Sequence, residues 1–257
     1  RDAIALAQSE ALHGPLTVLG RLVHNPDVER DLHGRGVSTG ATLETAATRR
    51  VMITAHGVSD WFRKRAEDLD VQVLDATCPL VAHAHRVIRE AAAAGEHIVL
   101  LGLAGHVEVI GLTEDLAACD VLIHPDQVGS IPFHPRFAVA AQTTQPHERL
   151  LALADGLRAR HPAARVRVLD TVCQPTRDRQ DAVRELAARC TVMVVIGGHD
   201  SNNTRELAVT CARHCGRVHL ACGPSELQRN WFKGDDVCGV SAGTSTPDGT
   251  IEDVMRK

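Results

Sequence analysis

Two cysteines sit in the same local pattern. Residues 73–79 read Val-Leu-Asp-Ala-Thr-Cys-Pro, and residues 168–175 read Val-Leu-Asp-Thr-Val-Cys-Gln-Pro. In each, a strand end leads to Asp, two residues, Cys and a nearby Pro that opens a helix. Thiolates repeated in equivalent loops are the donors of a metal or iron–sulfur centre placed where repeated units converge. The same repeat also describes a duplication in which Cys78 and Cys173 are simply buried thiols. A second set of residues recurs at strand ends: Val23-His24-Asn25, Ala55-His56-Gly57-Val58-Ser59, Ala104-Gly105-His106-Val107-Glu108, Gln142-Thr143-Thr144, Ser201-Asn202-Asn203-Thr204 and Ser241-Ala242-Gly243-Thr244-Ser245. Small hydroxyl and amide groups beside a helix N-terminus suit a phosphate, because the backbone N–H groups are free and the dipole favours an anion. Histidines add charge-assisted donors. Taken singly, each loop has a plainer reading. Ser201 is also an N-cap, Ser245 a turn residue before Pro247, and a lone histidine an ordinary hydrogen-bonded side chain. Glu108 follows His106 by two positions on a loop after a buried strand. It reads either as a desolvated proton donor or as an exposed loop carboxylate.

These loops need elements to hold them. Val51–Ala55, His97–Gly102 and Thr191–Ile196 are continuous aliphatic runs, each followed by a small polar turn. Such runs are buried parallel strands, and their alternation with helical patterns over Val81–Ala94, Asp178–Arg189 and Arg205–His214 predicts an α/β fold. The opening Arg1-Asp2-Ala3-Ile4-Ala5 is similar to Arg179-Gln180-Asp181-Ala182-Val183, the helix after Cys173. A third repeat would therefore begin upstream of residue 1. Cys211 and Cys215, with His214 beside them, have metal-ligand spacing but also describe one buried helix face. Cys119, Cys190, Cys222 and Cys238 read as core thiols. His83 and His85 point to different faces of one helix, and His13, His33, His124, His134, His147 and His161 read as solvated.

Composition narrows the classes. The chain has 257 residues, which suits one large domain or two to three small ones. It is 44% hydrophobic yet carries only two Trp, four Phe and no Tyr, so its core is aliphatic. A net charge of −4 with both signs mixed argues against a nucleic-acid partner. No apolar run reaches the ~18–20 residues of a membrane helix, and no signal peptide is visible. Eight cysteines are too sparse for a disulfide scaffold and point to a reducing, cytoplasmic setting. Neither a Walker A loop nor Gly-x-Gly-x-x-Gly occurs in a suitable context.

The order and spacing of His24-Asn25, His56-Gly57-Val58-Ser59, Asp75-Ala76-Thr77-Cys78-Pro79, Gly105-His106-Val107-Glu108, Gln142-Thr143-Thr144, the Cys173 loop, Ser201–Thr204 and Ala242–Asp248 together resemble the 4-hydroxy-3-methylbut-2-enyl diphosphate reductase (LytB) family. The resemblance runs over nearly the whole chain. It implies three pseudo-repeated α/β units in a trefoil around a central iron–sulfur site, at residues 1–77, 78–170 and 171–257. It implies a [4Fe–4S] cluster held by three cysteines, two of them Cys78 and Cys173, and reductive dehydroxylation of the substrate to isopentenyl and dimethylallyl diphosphate. By the same resemblance His24, His56, His106, Ser201, Asn202, Asn203 and Ser245 bind the diphosphate of the prenyl substrate. Glu108 relays a proton, Thr143 orients it and bonds the substrate hydroxyl, and His106 stands beside them. A ferredoxin or flavodoxin is the implied electron donor. The chain departs from the family pattern in starting after the first cysteine loop, in carrying Asn202 where many members have Ser, and in ending before a closing strand. These departures lead us to expect a sequence truncated at both ends. The alternative is a degenerate homologue that binds a prenyl diphosphate or other phosphorylated ligand without redox chemistry.

Overall fold

The computed structural model describes residues 2–20, 22, 26–244 and 246–257. The aliphatic runs become strands, and every strand pair is parallel. Strands β1 (Leu16–Leu19), β2 (Val37–Ala41), β3 (Arg50–Ile53) and β4 (Gln72–Asp75) form a first sheet in the order β2-β1-β3-β4. Helices α1 (Asp2–Ala11), α2 (Pro26–Gly34) and α3 (Asp60–Asp68) precede or connect its strands. After α4 (Pro79–Ala93), strands β5 (His97–Leu101), β6 (Cys119–Leu122), β7 (Arg136–Ala141) and β8 (Arg165–Val168) repeat that topology as β6-β5-β7-β8, with α5 (Val107–Thr113) and α6 (His147–Arg160). After α7 (Gln174–Ala187), strands β9 (Val192–Ile196), β10 (Val218–Ala221) and β11 (Cys238–Ala242) form a sheet in the order β10-β9-β11, with α8 (Asn202–Ala212) and α9 (Asp248–Arg256). In all three sheets the first strand lies between the second and the third.

The second sheet shows why these sequences make strands buried on both faces. Along β5 and β7, Ile98, Leu100, Ala138 and Ala140 pack against Ala84, Ile88 and Ala91 of α4 and Val109 and Leu112 of α5. The alternate residues Val99, Leu101, Phe137, Val139 and Ala141 pack against Leu150, Leu153, Ala154 and Leu157 of α6. Period-two alternation along the strand thus meets apolar stripes on helices at both faces. The third sheet repeats the scheme, with Met193 and Val195 against Val183, Leu207 and Cys211, and Val194 and Ile196 against Val254. Helix starts fall earlier than periodicity predicts. Pro79 occupies the first turn of α4 and Ser201 caps α8, so polar residues assigned to loops are the first helical turn.

The chain divides into two compact units, Arg1–Leu22 with Glu29–Cys173, and Val23–Val28 with Gln174–Lys257. Each holds one tryptophan. Trp61 on α3 is exposed, whereas Trp231 stacks on His219 with ring centroids 4.3 Å apart. Two minor expectations are corrected. His161 is buried, not solvated, because its ring stacks on Phe137 beneath the second sheet. Cys238, expected in the core, is exposed at the start of β11. Cys211 lies on the buried face of α8, where burial pushes its thiol up to about 12, and Cys215, past the end of that helix and not on it as expected, packs into the same core. No disulfide forms among the described residues, and no described helix is long and apolar enough to cross a membrane.

Candidate active site

In a sheet whose first strand is flanked by the second and third, the connections after strands one and three leave in opposite directions. A crevice opens between them at the carboxyl ends. The loops after β1, β3, β5, β7, β9 and β11 flank those three crevices, and they are the loops that carry His24, His56, His106 with Glu108, Thr143, Ser201 to Asn203, and Ser245. His24 and Ser245 themselves lie outside the described residues.

In the larger unit, the loop after β3 turns at Gly57, whose φ is +69°. A Cβ there would stand 2.9 Å from His85 Nε2 and 3.2 Å from Thr77 Cγ2. His85, on the buried face of α4, is thereby packed under the His56 loop. Thr54 Oγ1 lies 3.0 Å from His56 Nδ1, and the His56 ring meets the His106 ring edge-on at 5.3 Å. His106 is the N-cap of α5, and its Nδ1 accepts the Glu108 backbone N–H at 3.1 Å. That bond leaves the proton of the neutral ring on Nε2.

Glu108 is the chemically unusual group. Its side chain is buried, and its Oε1 accepts the backbone N–H of Thr143 at 2.6 Å. Burial raises its carboxyl above the ordinary range, and the hydrogen bonds from Thr143 pull it back only in part. A proton on the folded chain at a pH where the unfolded chain has lost it makes stability fall as pH rises from the unfolded carboxyl's range towards the folded one. Glu108→Gln lacks this loss. The stability difference between parent and variant, read by urea denaturation, should therefore shift in favour of the variant as pH is raised through that window. A difference that is constant with pH would show an ordinary carboxyl.

The two cysteine loops are suspended identically. The Cys78 N–H donates to the carbonyl of Ala55 at 3.0 Å, and the Cys173 N–H to the carbonyl of Thr143 at 3.1 Å. Each acceptor is the second residue past the third strand of its sheet. The repeat seen in sequence is thus a repeat in backbone bonding, and Thr143 links Glu108 to Cys173. Asp75 shapes the first of these turns by accepting the Thr77 N–H at 2.8 Å and pairing with Arg63 at 2.6 Å. Burial opposes its charge, but these partners hold its carboxyl below the usual range. Both thiols are half-buried.

In the smaller unit, Ser201 Oγ accepts the Thr204 N–H at 3.4 Å, capping α8. Asn202 and Asn203 are buried in its first turn. Asn203 Nδ2 donates to Thr244 Oγ1 at 3.0 Å, while Asn203 Oδ1 and Thr204 Oγ1 are buried polar atoms without a hydrogen-bond partner. Of the two, only the Thr204 hydroxyl can donate to an anion at this helix N-terminus, because an amide oxygen such as Asn203 Oδ1 only accepts. Thr204 is pressed between Gly197 and Gly243. A Cβ at Gly197 would stand 2.5 Å from Thr204 Oγ1, and one at Gly243 would overlap the same oxygen. We expect Gly243→Ala to cost about 1–3 kcal/mol in denaturant unfolding, and Thr204→Ala to recover most of that loss in the double variant. Strictly additive losses would show that the two side chains do not meet.

In the sequence the loops of Thr204, Thr244 and Gln142 are marked, but these residues have no role of their own there, and His85 is placed only on a helix face. The signal for Thr204 was the pair of glycines facing it from separate loops. Gln142 is fully buried, with Oε1 taking the Leu103 N–H at 3.3 Å and Nε2 without a partner.

The model of the LytB protein family matches residues 1–257. A relative from Sulfurovum sp. (strain NBC37-1), named 4-hydroxy-3-methylbut-2-enyl diphosphate reductase, is 33% identical over 100% of this chain and 93% of its own length. One of the same name from Anaeromyxobacter sp. (strain Fw109-5) is 35% identical over 94% of this chain and 85% of its own. The solved (E)-4-hydroxy-3-methyl-but-2-enyl diphosphate reductase, described as the terminal enzyme of the non-mevalonate pathway, is 31% identical and superposes with a TM-score of 0.68, covering 99% of this chain and 92% of that one. A Plasmodium falciparum reductase structure shares the fold at a TM-score of 0.90 and 23% identity, over 99% of this chain and 82% of that one. With a buried carboxyl, two equivalent cysteine loops and a full-length family match, the chain belongs to the LytB protein family.

Proposed function

We propose that the protein is an oxidoreductase of isoprenoid biosynthesis that removes the hydroxyl of 4-hydroxy-3-methylbut-2-enyl diphosphate, giving isopentenyl and dimethylallyl diphosphate. The observation that carries this reading is Glu108, a buried carboxyl whose Oε1 accepts the Thr143 N–H and whose burial favours the protonated form, in a LytB-family chain. A hydroxide is a poor leaving group unless it receives a proton, and a buried acid positioned by a backbone N–H supplies one. In this reading Thr143 both holds Glu108 and bonds the substrate hydroxyl. His56, His106, Ser201, Asn202 and Asn203, with His24 and Ser245, bind the diphosphate and fix the carbon skeleton.

A [4Fe–4S] cluster fits the donors present. Cys78 and Cys173 are thiols outside any disulfide, hung on the same backbone bond in equivalent loops, and thiolates are the ligands such clusters take. These two residues would be two of the three cysteine ligands the family resemblance implies, and a cluster bound there would relay the donor's electrons singly and offer a Lewis-acidic iron. A ferredoxin or flavodoxin delivering single electrons and a cytoplasmic, reducing setting complete the reading, as does the division at residues 1–77, 78–170 and 171–257.

The test is turnover by the anaerobically reconstituted protein with a chemical reductant and the hydroxylated diphosphate, products being identified by mass spectrometry. Formation of the two prenyl diphosphates supports the reading. Tight binding of the substrate with no product would support the ligand-binding homologue instead.

A further inference from the structure

A second cluster of metal-ligand side chains lies in the smaller unit, on residues the proposed reaction does not use. His199 stands on the loop after β9, two positions before Ser201. Cys222 follows β10, and Glu226 lies four residues on. One ligand atom from each, an imidazole nitrogen, a thiol sulfur and a carboxylate oxygen, lie within 4.8 Å of one another. Among the described residues it is the one group of three such donors. The arrangement is already built before any ion arrives. Glu226 Oε2 accepts the Cys222 backbone N–H at 2.9 Å and stands 2.9 Å from His199 Nε2.

We infer that His199, Cys222 and Glu226 form a binding site for a borderline-soft divalent cation of the Zn²⁺ class. The donor set decides the class. Mixed sulfur, nitrogen and oxygen ligands suit Zn²⁺, whereas Ca²⁺ and Mg²⁺ take oxygen. Bonds of about 2.0–2.3 Å to a tetrahedral ion place its ligands roughly 3.5 Å apart. The cluster needs only a small movement of the exposed His199 and Glu226 side chains towards the half-buried Cys222 to reach that spacing. The ion takes the place of the proton between His199 and Glu226, and the Cys222 thiol releases its proton on binding. Three protein ligands leave a fourth position for water. The physical consequence is a staple: the β9–α8 loop, which presents Ser201, becomes tied to the loop after β10.

The test uses the full chain in a Cys78→Ser/Cys173→Ser background, so that no metal is counted on the proposed cluster thiols. Zn²⁺ alone is equilibrated by dialysis at neutral pH and metal is measured by atomic absorption. The site predicts about one equivalent per chain, with affinity falling at least tenfold on adding Cys222→Ser or, separately, Glu226→Gln. The glutamine keeps an acceptor for the Cys222 N–H, so its loss of metal does not report misfolding. With Co²⁺ as probe, a thiolate-to-metal charge-transfer band should appear in the background protein and vanish in the Cys222→Ser variant. Negligible Zn²⁺ uptake by the background protein, or unchanged uptake in both variants, would leave His199–Glu226 as an ordinary ion pair and overturn the site. None of these outcomes depends on reductase activity, so the inference and the proposed function fail separately.

Discussion

Glu108→Gln should lower kcat by about 10²–10⁴-fold, the usual worth of a positioned proton donor, and leave the substrate Kd within a few-fold of the parent. The substitution is conservative in shape. The amide oxygen of glutamine can still accept the Thr143 N–H that Glu108 Oε1 accepts at 2.6 Å, and the side chain still fills the same buried space. What disappears is the ionisable proton. The diphosphate-binding groups proposed above lie on other side chains, so binding energy should survive while the step that needs a proton fails. Single-turnover kinetics and calorimetric titration of the substrate separate the two quantities. Turnover at the parent rate in the variant would remove Glu108 from the chemistry, whatever its burial.

The second large effect is expected from Cys173→Ser, and equally from Cys78→Ser. Anaerobically reconstituted variant should lose most of its iron and visible absorbance, and turnover should fall to background, because serine is not a comparable ligand for an iron–sulfur cluster. Far-UV circular dichroism should be unchanged. The bond that hangs each loop comes from the main-chain N–H, to Ala55 in one case and Thr143 in the other, and it does not need the thiol. Cys211→Ser provides the contrast. That thiol is fully buried against Val183, Met193 and Leu207, so its replacement should cost stability but not iron, placing a polar hydroxyl in an apolar site. Full iron content and parent activity in Cys173→Ser would defeat the thiolate assignment.

The elements were legible because their physics is local. The run His97–Leu101 is aliphatic on both faces and can only be a strand covered twice, and it is. The Asp-x-x-Cys repeat was legible because a backbone-bonded turn imposes the same residues each time it recurs. The burial of Glu108 was not legible. It depends on Thr143, which lies thirty-five positions away in the loop after β7, and a loop carboxylate two residues from a histidine reads most simply as exposed. His161 failed for the same reason, since Phe133, Phe137 and the Ile131 carbonyl that cover its ring all come from elsewhere in the chain. The His199–Cys222–Glu226 group was missed because Cys222 was read alone, and its partners come from a different loop and from beyond a turn.

The distribution of aromatic residues has an optical consequence. With no tyrosine and one tryptophan in each compact unit, near-ultraviolet emission has two sources that can be removed one at a time. Trp61 is exposed on α3, and Trp231 lies flat against an imidazole. Trp61→Phe leaves a protein whose fluorescence follows only the smaller unit, and Trp231→Phe one that follows only the larger. Unfolding curves of the two variants therefore read directly whether the units melt together or apart, without any attached label.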